Sequence, residues 1–298
     1  MNDKLKKIVV PFILMMIFNL GIYCLTNGEN YNEGLIPHVG ILLISGLILG
    51  PYGALGSVAG NFLCDLIKGY DPILAVSSEI ISFEISYLGY KLWYNSYYKR
   101  RVISEPKINT TQNVLLFIGI IIICGLLYTV LTGKLFYVIY PESISISGLI
   151  EIRYILNFIN SSFIFGIIGI WISNKFNFVQ IPKTSNKEFN EKFYRIIGIL
   201  LILSIISTLT VDNIFTLNKN FIIIEIVVTS LILFIYLGKP ITSNIKIKNS
   251  ESITEPIMNR FYLLTLFIII IGIIISHNSA LITIIDDLLP LNRTAVMI

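Results

Sequence analysis

Long apolar runs separated by short polar or basic segments dominate the chain. A helix needs about 20 mostly apolar residues to cross the ~30 Å hydrocarbon core of a bilayer. Nine runs approach or reach that length, so the pattern predicts an all-α integral membrane protein with about nine transmembrane helices. The runs cover residues 8–25, 37–49, 54–69, 72–94, 114–131, 148–172, 195–211, 221–237 and 261–276.

Two of these runs, 37–49 and 54–69, are too short for ordinary spans and are separated only by Gly50-Pro51-Tyr52-Gly53. Gly and Pro together favour a sharp turn. We therefore expect two brief helices joined by a tight turn at this point.

The basic residues collect in alternate loops. If the N-terminus lies inside, 16 of the 22 lysines and arginines fall in inside loops and two within runs. The other four are expected in outside loops, namely Lys68, Lys134, Lys219 and Arg293. Lysine and arginine prefer loops on the cytoplasmic side of a membrane. This distribution predicts a multi-pass protein of the cell membrane with its N-terminus inside.

Composition removes several classes of protein. Hydrophobic residues make up 55% and charged residues 13% of the chain, against about 25% charged residues in a soluble domain. This excludes an ordinary soluble globule, a disordered chain and a nucleic-acid binder. The three cysteines show no ligand spacing, and no catalytic motif stands out. We therefore expect no metal, no cofactor and no enzymatic activity.

Basic loops divide the chain into predicted blocks. Residues 1–176 form a six-helix membrane domain, and residues 177–194 form a basic cytoplasmic loop. Residues 195–276 form a three-helix appendix. The segment 277–298 is apolar but contains charged residues and a proline, so it is either an outer tail or the start of a truncated further span.

Ionisable groups inside apolar runs are costly and suggest functional sites. Asn61, Asp65 and Lys68 are spaced by four and three residues, which places them on one helix face. They follow Gly56 and Gly60, whose spacing allows another helix to approach closely. The alternative is that Asp65 and Lys68 only frame the outer end of a short span, since lysine can reach the interface.

A second polar face combines Arg153, Asn157 and Asn160 at the same spacing. Arg153 offers a planar fork of donors that suits a carboxylate ligand, or it pairs with Glu151 or Asp65 as a structural contact. His38 lies at the outer mouth of the second run, behind the polar loop 27–36. These residues complete the predicted ligand-binding set.

Three other acidic residues lie within runs. Glu79 and Glu84 are five residues apart and so face different directions, whereas Glu225 stands alone in the eighth run. Each is either protonated and part of a proton relay or, more commonly, bonded to a neighbouring helix.

The stretch from Gly40 to Asp65 resembles the substrate-capture (S) components of energy-coupling factor vitamin transporters. The matching features are a Gly-Pro-x-x-Gly turn, spaced glycines and then an aspartate. Their positions in this sequence are Gly50, Pro51, Gly53, Gly56, Gly60 and Asp65. The resemblance implies a six-helix unit with both ends inside, a ligand site near the outer side under the loop 27–37, and a coupling ATPase module as partner.

Similar helical blocks also serve as input modules of membrane sensors. The first run lacks the small residues spaced by four with which S components dock their partner, and the appendix has no counterpart in a plain S component. Two hypotheses follow: capture of a small-molecule ligand for uptake, or sensing within a signalling protein with a kinase or phosphatase partner. In both, membrane lipid surrounds the chain and nucleic acid is not a partner.

Overall fold

A computed structural model describes seven helices and their short connections. The described residues are 2–25, 37–94, 105–108, 111–140, 147–182, 190–211 and 219–241. Five of the helices are long and apolar enough to cross a membrane, namely α1, α2, α4, α5 and α7. The helices are α1 (Asp3–Leu25), α2 (Pro37–Ile67), α3 (Pro72–Tyr94), α4 (Thr111–Ile139), α5 (Ser147–Lys175), α6 (Glu191–Val211) and α7 (Lys219–Leu237).

The described residues do not give the nine transmembrane helices expected from the sequence. The second and third runs belong to one helical element, α2, which is interrupted at a single residue. Polar side chains, including Glu79 and Glu84, make α3 less apolar, and it is not one of the five. The ninth run and the tail 277–298 lie outside the described residues.

Gly50 turns α2 back on itself. Its backbone has φ 60° and ψ −142°, a conformation that glycine adopts without the penalty a side chain would impose. A β-carbon on Gly53 would lie only 2.0 Å from the Ser45 carbonyl oxygen, eight residues earlier. In a straight helix residues eight apart are ~12 Å apart along the axis. Residues 37–49 and 51–67 are therefore two arms of a sharp turn, with Pro51 starting the second.

The six segments formed by α1, the two arms of α2, α3, α4 and α5 make the main bundle. At one end, the Lys7 ammonium donates to the Val179 carbonyl. The backbone N–H of Gln180 donates to the Ile48 carbonyl beside the turn. At the other end, Asn19 meets the second arm at Asn61. The turn of α2 thus lies at the first end of the bundle, and the two outer ends of its arms lie together at the second.

Glycines let the second arm lie directly against α1. A β-carbon on Gly56 would be 2.1 Å from the Ile8 carbonyl oxygen, and one on Gly60 would be 2.8 Å from the Phe12 carbonyl oxygen. Since such distances are impossible for a real side chain, close approach of the two backbones depends on these glycines.

The apolar core runs through α2, α3, α4 and α5 and extends to α7. Phe117, Phe158, Phe163, Trp93 and Tyr94 are fully buried in it. By contrast, α6 and α7 expose many large apolar side chains, such as Ile202 and Phe234. Exposed apolar surface of this extent is typical of helices that face lipid.

Candidate functional site

A small cleft opens at the end of the bundle where Asn19 meets the second arm. It is bounded by both arms of α2, by the start of α3, by α4 and by α5, and its cavity volume is about 80 Å³. The lining residues are polar, aromatic and apolar in similar measure. They include His38, Asn61, Asp65, Lys68, Tyr70, Ser78, Tyr128, Thr132, Phe136 and Tyr154.

Four of the seven residues proposed from the sequence as ligand contacts meet in this cleft. His38 comes from the first arm, whereas Asn61 and Asp65 come from the second arm and Lys68 directly follows it. The turn at Gly50 explains the meeting, because it returns the chain to the end at which it began. Positions nearly thirty residues apart in the sequence therefore share one cavity.

Two of the other three proposed residues, Asn157 and Asn160, do not line the cleft in the described structure. Asn157 and Asn160 are both buried within α5, and the Asn160 side-chain oxygen has no hydrogen-bond partner among the described residues. The helix carries Arg153 immediately before Tyr154, which lines the cleft. The side chain of Arg153 lies outside the described set.

A buried chain of amides lies beneath the cleft and joins three helices. Asn19 of α1 is completely buried and donates to the Asn61 side-chain oxygen at 2.7 Å. Asn61 in turn donates a short hydrogen bond to Glu79 of α3 and a long one, 3.4 Å, to Asp65. Orienting the Asn61 amide in this way fixes one wall of the site.

Glu79 is the most unusual member of this chain. Its side chain is 5% exposed, and one carboxyl oxygen accepts from Asn61, but the other has no hydrogen-bond partner among the described residues. A buried polar atom without a partner costs free energy. The sequence placed Glu79 and Glu84 on different faces of one helix, and the structure places them in different environments.

Lys68 directs its ammonium group toward α1. The ammonium donates to the Asn19 side-chain oxygen and lies 5.5 Å from the centre of the Tyr23 ring. Burial lowers the pKa of Lys68 below its usual value, while the neighbouring Asp65 carboxylate raises it in opposition. The lysine thus hydrogen-bonds to an amide, and the nearby carboxylate favours its charged form.

The aromatic lining of the cleft was not part of the site proposed from the sequence. Tyr70 follows α2, Tyr128 and Phe136 come from α4, and Tyr154 comes from α5. One signal was available: Tyr128, Thr132 and Phe136 are spaced by four, so they share a helix face that carries a phenol and a hydroxyl. The sequence could not show that this face lines a site, because it does not specify how α4 is rotated within the bundle.

The remaining buried charges hold α7 against the bundle. Lys134 of α4 forms an ion pair with Glu225 of α7, Ser230 donates to Glu84 at 2.7 Å, and Lys91 donates to the Lys239 carbonyl at 2.7 Å. Lys134 was expected in an outside loop, but α4 continues to Ile139 and carries it within the helix. Glu225 therefore has the role of an acid bonded to a neighbouring helix.

No group of three or more histidine, cysteine or acidic residues that could hold a metal ion is found in the described part of the chain. Comparison with known proteins finds no matching family model, no matching curated protein and no matching solved structure.

Proposed function

We propose that the protein recognises a small solute in the cleft lined by His38, Asn61, Asp65 and Lys68. A pocket in which a few polar groups converge among aromatic walls is typical of small-molecule sites. Charged groups in a membrane bundle are expensive and are usually retained for binding or transport. The observation that carries the proposal is the convergence of these four residues at an open cavity, three from the two arms of the folded-back α2 and Lys68 from the position directly after it.

The role we favour is substrate capture for uptake across a cell membrane. The sequence features by which the chain resembles S components are the Gly50-Pro51 turn, the spaced glycines Gly56 and Gly60, and Asp65. In the structure Gly50 turns α2 back, the two glycines pack against α1, and Asp65 lines the cleft. In that role the end of the bundle with the cleft faces outside, and the end with Lys7 faces inside. A coupling ATPase module is the expected partner, and the chain itself binds without catalysing a reaction.

A second candidate is an input module of a membrane sensor. The observation that favours it is the attachment of α7, which bonds through Glu225 and Ser230 to α4 and α3, two of the helices that border the cleft. A shift of α3 or α4 on ligand binding would therefore pass to α7 and to a signalling partner such as a kinase or phosphatase.

Gentle purification of the tagged chain from native membranes, followed by mass spectrometry of the retained proteins, separates the two roles. Recovery of an ATPase pair would support substrate capture. Recovery of a kinase, phosphatase or response partner without an ATPase would overturn it in favour of sensing. An untagged membrane extract processed in parallel is the control.

A further inference from the structure

The charges that border the cleft are unequally committed to protein partners. Asp65 and Lys68 are the acidic and basic residues that line it among the described residues. The ammonium of Lys68 bonds to Asn19 and lies over Tyr23, both on α1. The positive charge is therefore engaged with α1, none of whose described residues lines the cleft.

The carboxylate of Asp65 is less completely engaged. Its hydrogen bond from the described residues is the long one, 3.4 Å, from Asn61, whose amide bonds more closely to Glu79. An ionised carboxylate has room for about four hydrogen bonds. A ligand that removed water from Asp65 without supplying a donor would leave a costly unpaired charge.

The surrounding side chains suit a positive group. The rings of Tyr70, Tyr128, Tyr154 and Phe136 line the cavity, and aromatic rings attract cations through their negative faces. The remaining polar lining consists of the Asn61 amide, hydroxyl groups and the His38 imidazole, groups that carry no permanent charge.

We propose that the cleft takes a small organic cation, an amine or a quaternary ammonium, with its charge next to Asp65 and its carbon atoms against the aromatic rings. This inference rests on the proposed function of solute binding at the same cleft. The size of the cavity restricts the ligand further. A volume of about 80 Å³ is roughly half that of an engineered cavity of about 150 Å³ that binds benzene, so the part inserted is a single compact headgroup.

The test uses three small probes of similar size and different charge on the purified full chain. Tetramethylammonium is the cation, tert-butanol is its uncharged analogue of nearly the same shape, and acetate is the anion. The unfolding midpoint is followed while each is titrated at constant ionic strength. A ligand that binds the folded state raises this midpoint as it saturates its site.

We expect tetramethylammonium to raise the midpoint saturably, with little effect from the other two probes. Asp65→Asn should weaken the apparent affinity for the cation at least about tenfold, since it removes the charge-assisted contact. Asp71→Asn is the matched control. This substitution makes the same chemical change outside the cleft. In the wild type the Asp71 carboxylate accepts from the backbone N–H groups of Ile73 and Leu74 and so caps the first turn of α3, and asparagine can cap it in the same way.

Several results would overturn the inference. If acetate or tert-butanol stabilises the protein and Asp65→Asn abolishes that effect, the cleft binds a solute but not a cation, and the proposed function survives. If tetramethylammonium stabilises the wild type and Asp65→Asn equally, Asp65 does not recognise the charge. If no probe acts, the inference is wrong, and the purification from native membranes decides the proposed function separately.

A second variant covers the case in which Asp65→Asn does not fold. Tyr154→Leu removes one aromatic wall and leaves the carboxylate in place. It should weaken tetramethylammonium binding several-fold, about what one cation–π contact contributes, without creating an affinity for acetate. An unchanged affinity in this variant would contradict the aromatic part of the proposal.

Discussion

Two regions of the bundle that hold charged side chains differ in how completely each charge is partnered. Where α7 meets α3 and α4, Lys134 pairs with Glu225 and Glu84 accepts from Ser230. At the cleft, Asp65 accepts one long hydrogen bond and Glu79 keeps a carboxyl oxygen without a partner among the described residues. The first region is a closed contact between helices, whereas the second borders a cavity.

This difference in partnering distinguishes a structural charge from a ligand-binding charge, which look alike in the sequence. Each acidic residue interrupts an apolar helix, and each therefore suggests a functional site. A charge that meets its complement on a neighbouring helix stabilises the fold, and one that lines a cavity with spare hydrogen-bonding capacity is available to a ligand. Completeness of partnering, rather than burial, distinguishes the two.

The largest expected effect comes from breaking the ion pair. Glu225→Ala leaves the Lys134 ammonium buried without its acid, which should lower the free energy of unfolding by about 3 kcal/mol. The double change Lys134→Met with Glu225→Leu removes both charges and should cost much less. Equilibrium unfolding in mixed micelles measures both. Equal losses in the single and double variants would show that the pair is not the source of the stability.

Replacing Asn61 should cause the next largest loss of stability, because its side-chain amide donates the hydrogen bond that the buried Glu79 carboxyl accepts. Asn61→Ala removes that donor and should cost about 2 kcal/mol. Adding Glu79→Leu removes the stranded carboxyl and should restore much of the loss. The same unfolding assay applies, and a double variant less stable than Asn61→Ala alone would contradict this network.

Ser230 tests the closed region with a milder change. Ser230→Ala removes the donor to Glu84 and should cost about 1 kcal/mol, while Glu84→Gln keeps an acceptor and should cost less. Thermal unfolding measures the stability of both variants. A greater loss for Glu84→Gln than for Ser230→Ala would mean that the charge of Glu84 has another role.

Asp65 should contribute little to stability despite its position in the bundle. Asp65→Asn keeps the shape and the acceptor for Asn61, so the free energy of unfolding should change by less than about 1 kcal/mol. A loss comparable to that of Glu225→Ala would place Asp65 among the structural charges and break the distinction between the regions.

Replacing Lys68 should have the smallest effect on stability, and the size of that effect should depend on pH. Because burial holds the pKa of Lys68 below its unfolded value, the folded chain binds fewer protons between those two values, and its stability rises with pH across that window. Lys68→Met should lose this alkaline gain relative to the wild type. A steeper rise in the variant would contradict the sign of the pKa shift.

The sequence anticipated features that depend on local spacing. The Gly50-Pro51 motif indicated a tight turn, and the fold-back of α2 occurs there. The spacing of Asn61, Asp65 and Lys68 placed them on one face, and all three line the cleft. Turns and faces follow from neighbouring residues, so a single chain reveals them.

Contacts between helices were beyond the reach of the sequence. The partner of Glu225 was hidden because Lys134 had been assigned to a loop, and no sequence pattern linked Asn19 to Asn61. The expected number of spans was also wrong for the described residues, because the second and third runs form one element, α2, and polar side chains make α3 less apolar than a span. Each of these depends on helix rotation or on the path of the chain, which one sequence does not specify.

The most direct test of the binding account is small-molecule mass spectrometry of the protein gently purified from its native membranes. Wild type, Asp65→Asn and Asp71→Asn are purified in parallel and their bound compounds compared. The account predicts at least one small molecule that wild type and Asp71→Asn retain and Asp65→Asn loses. Identical compounds in all three, from protein that is equally folded, would contradict a ligand site at Asp65.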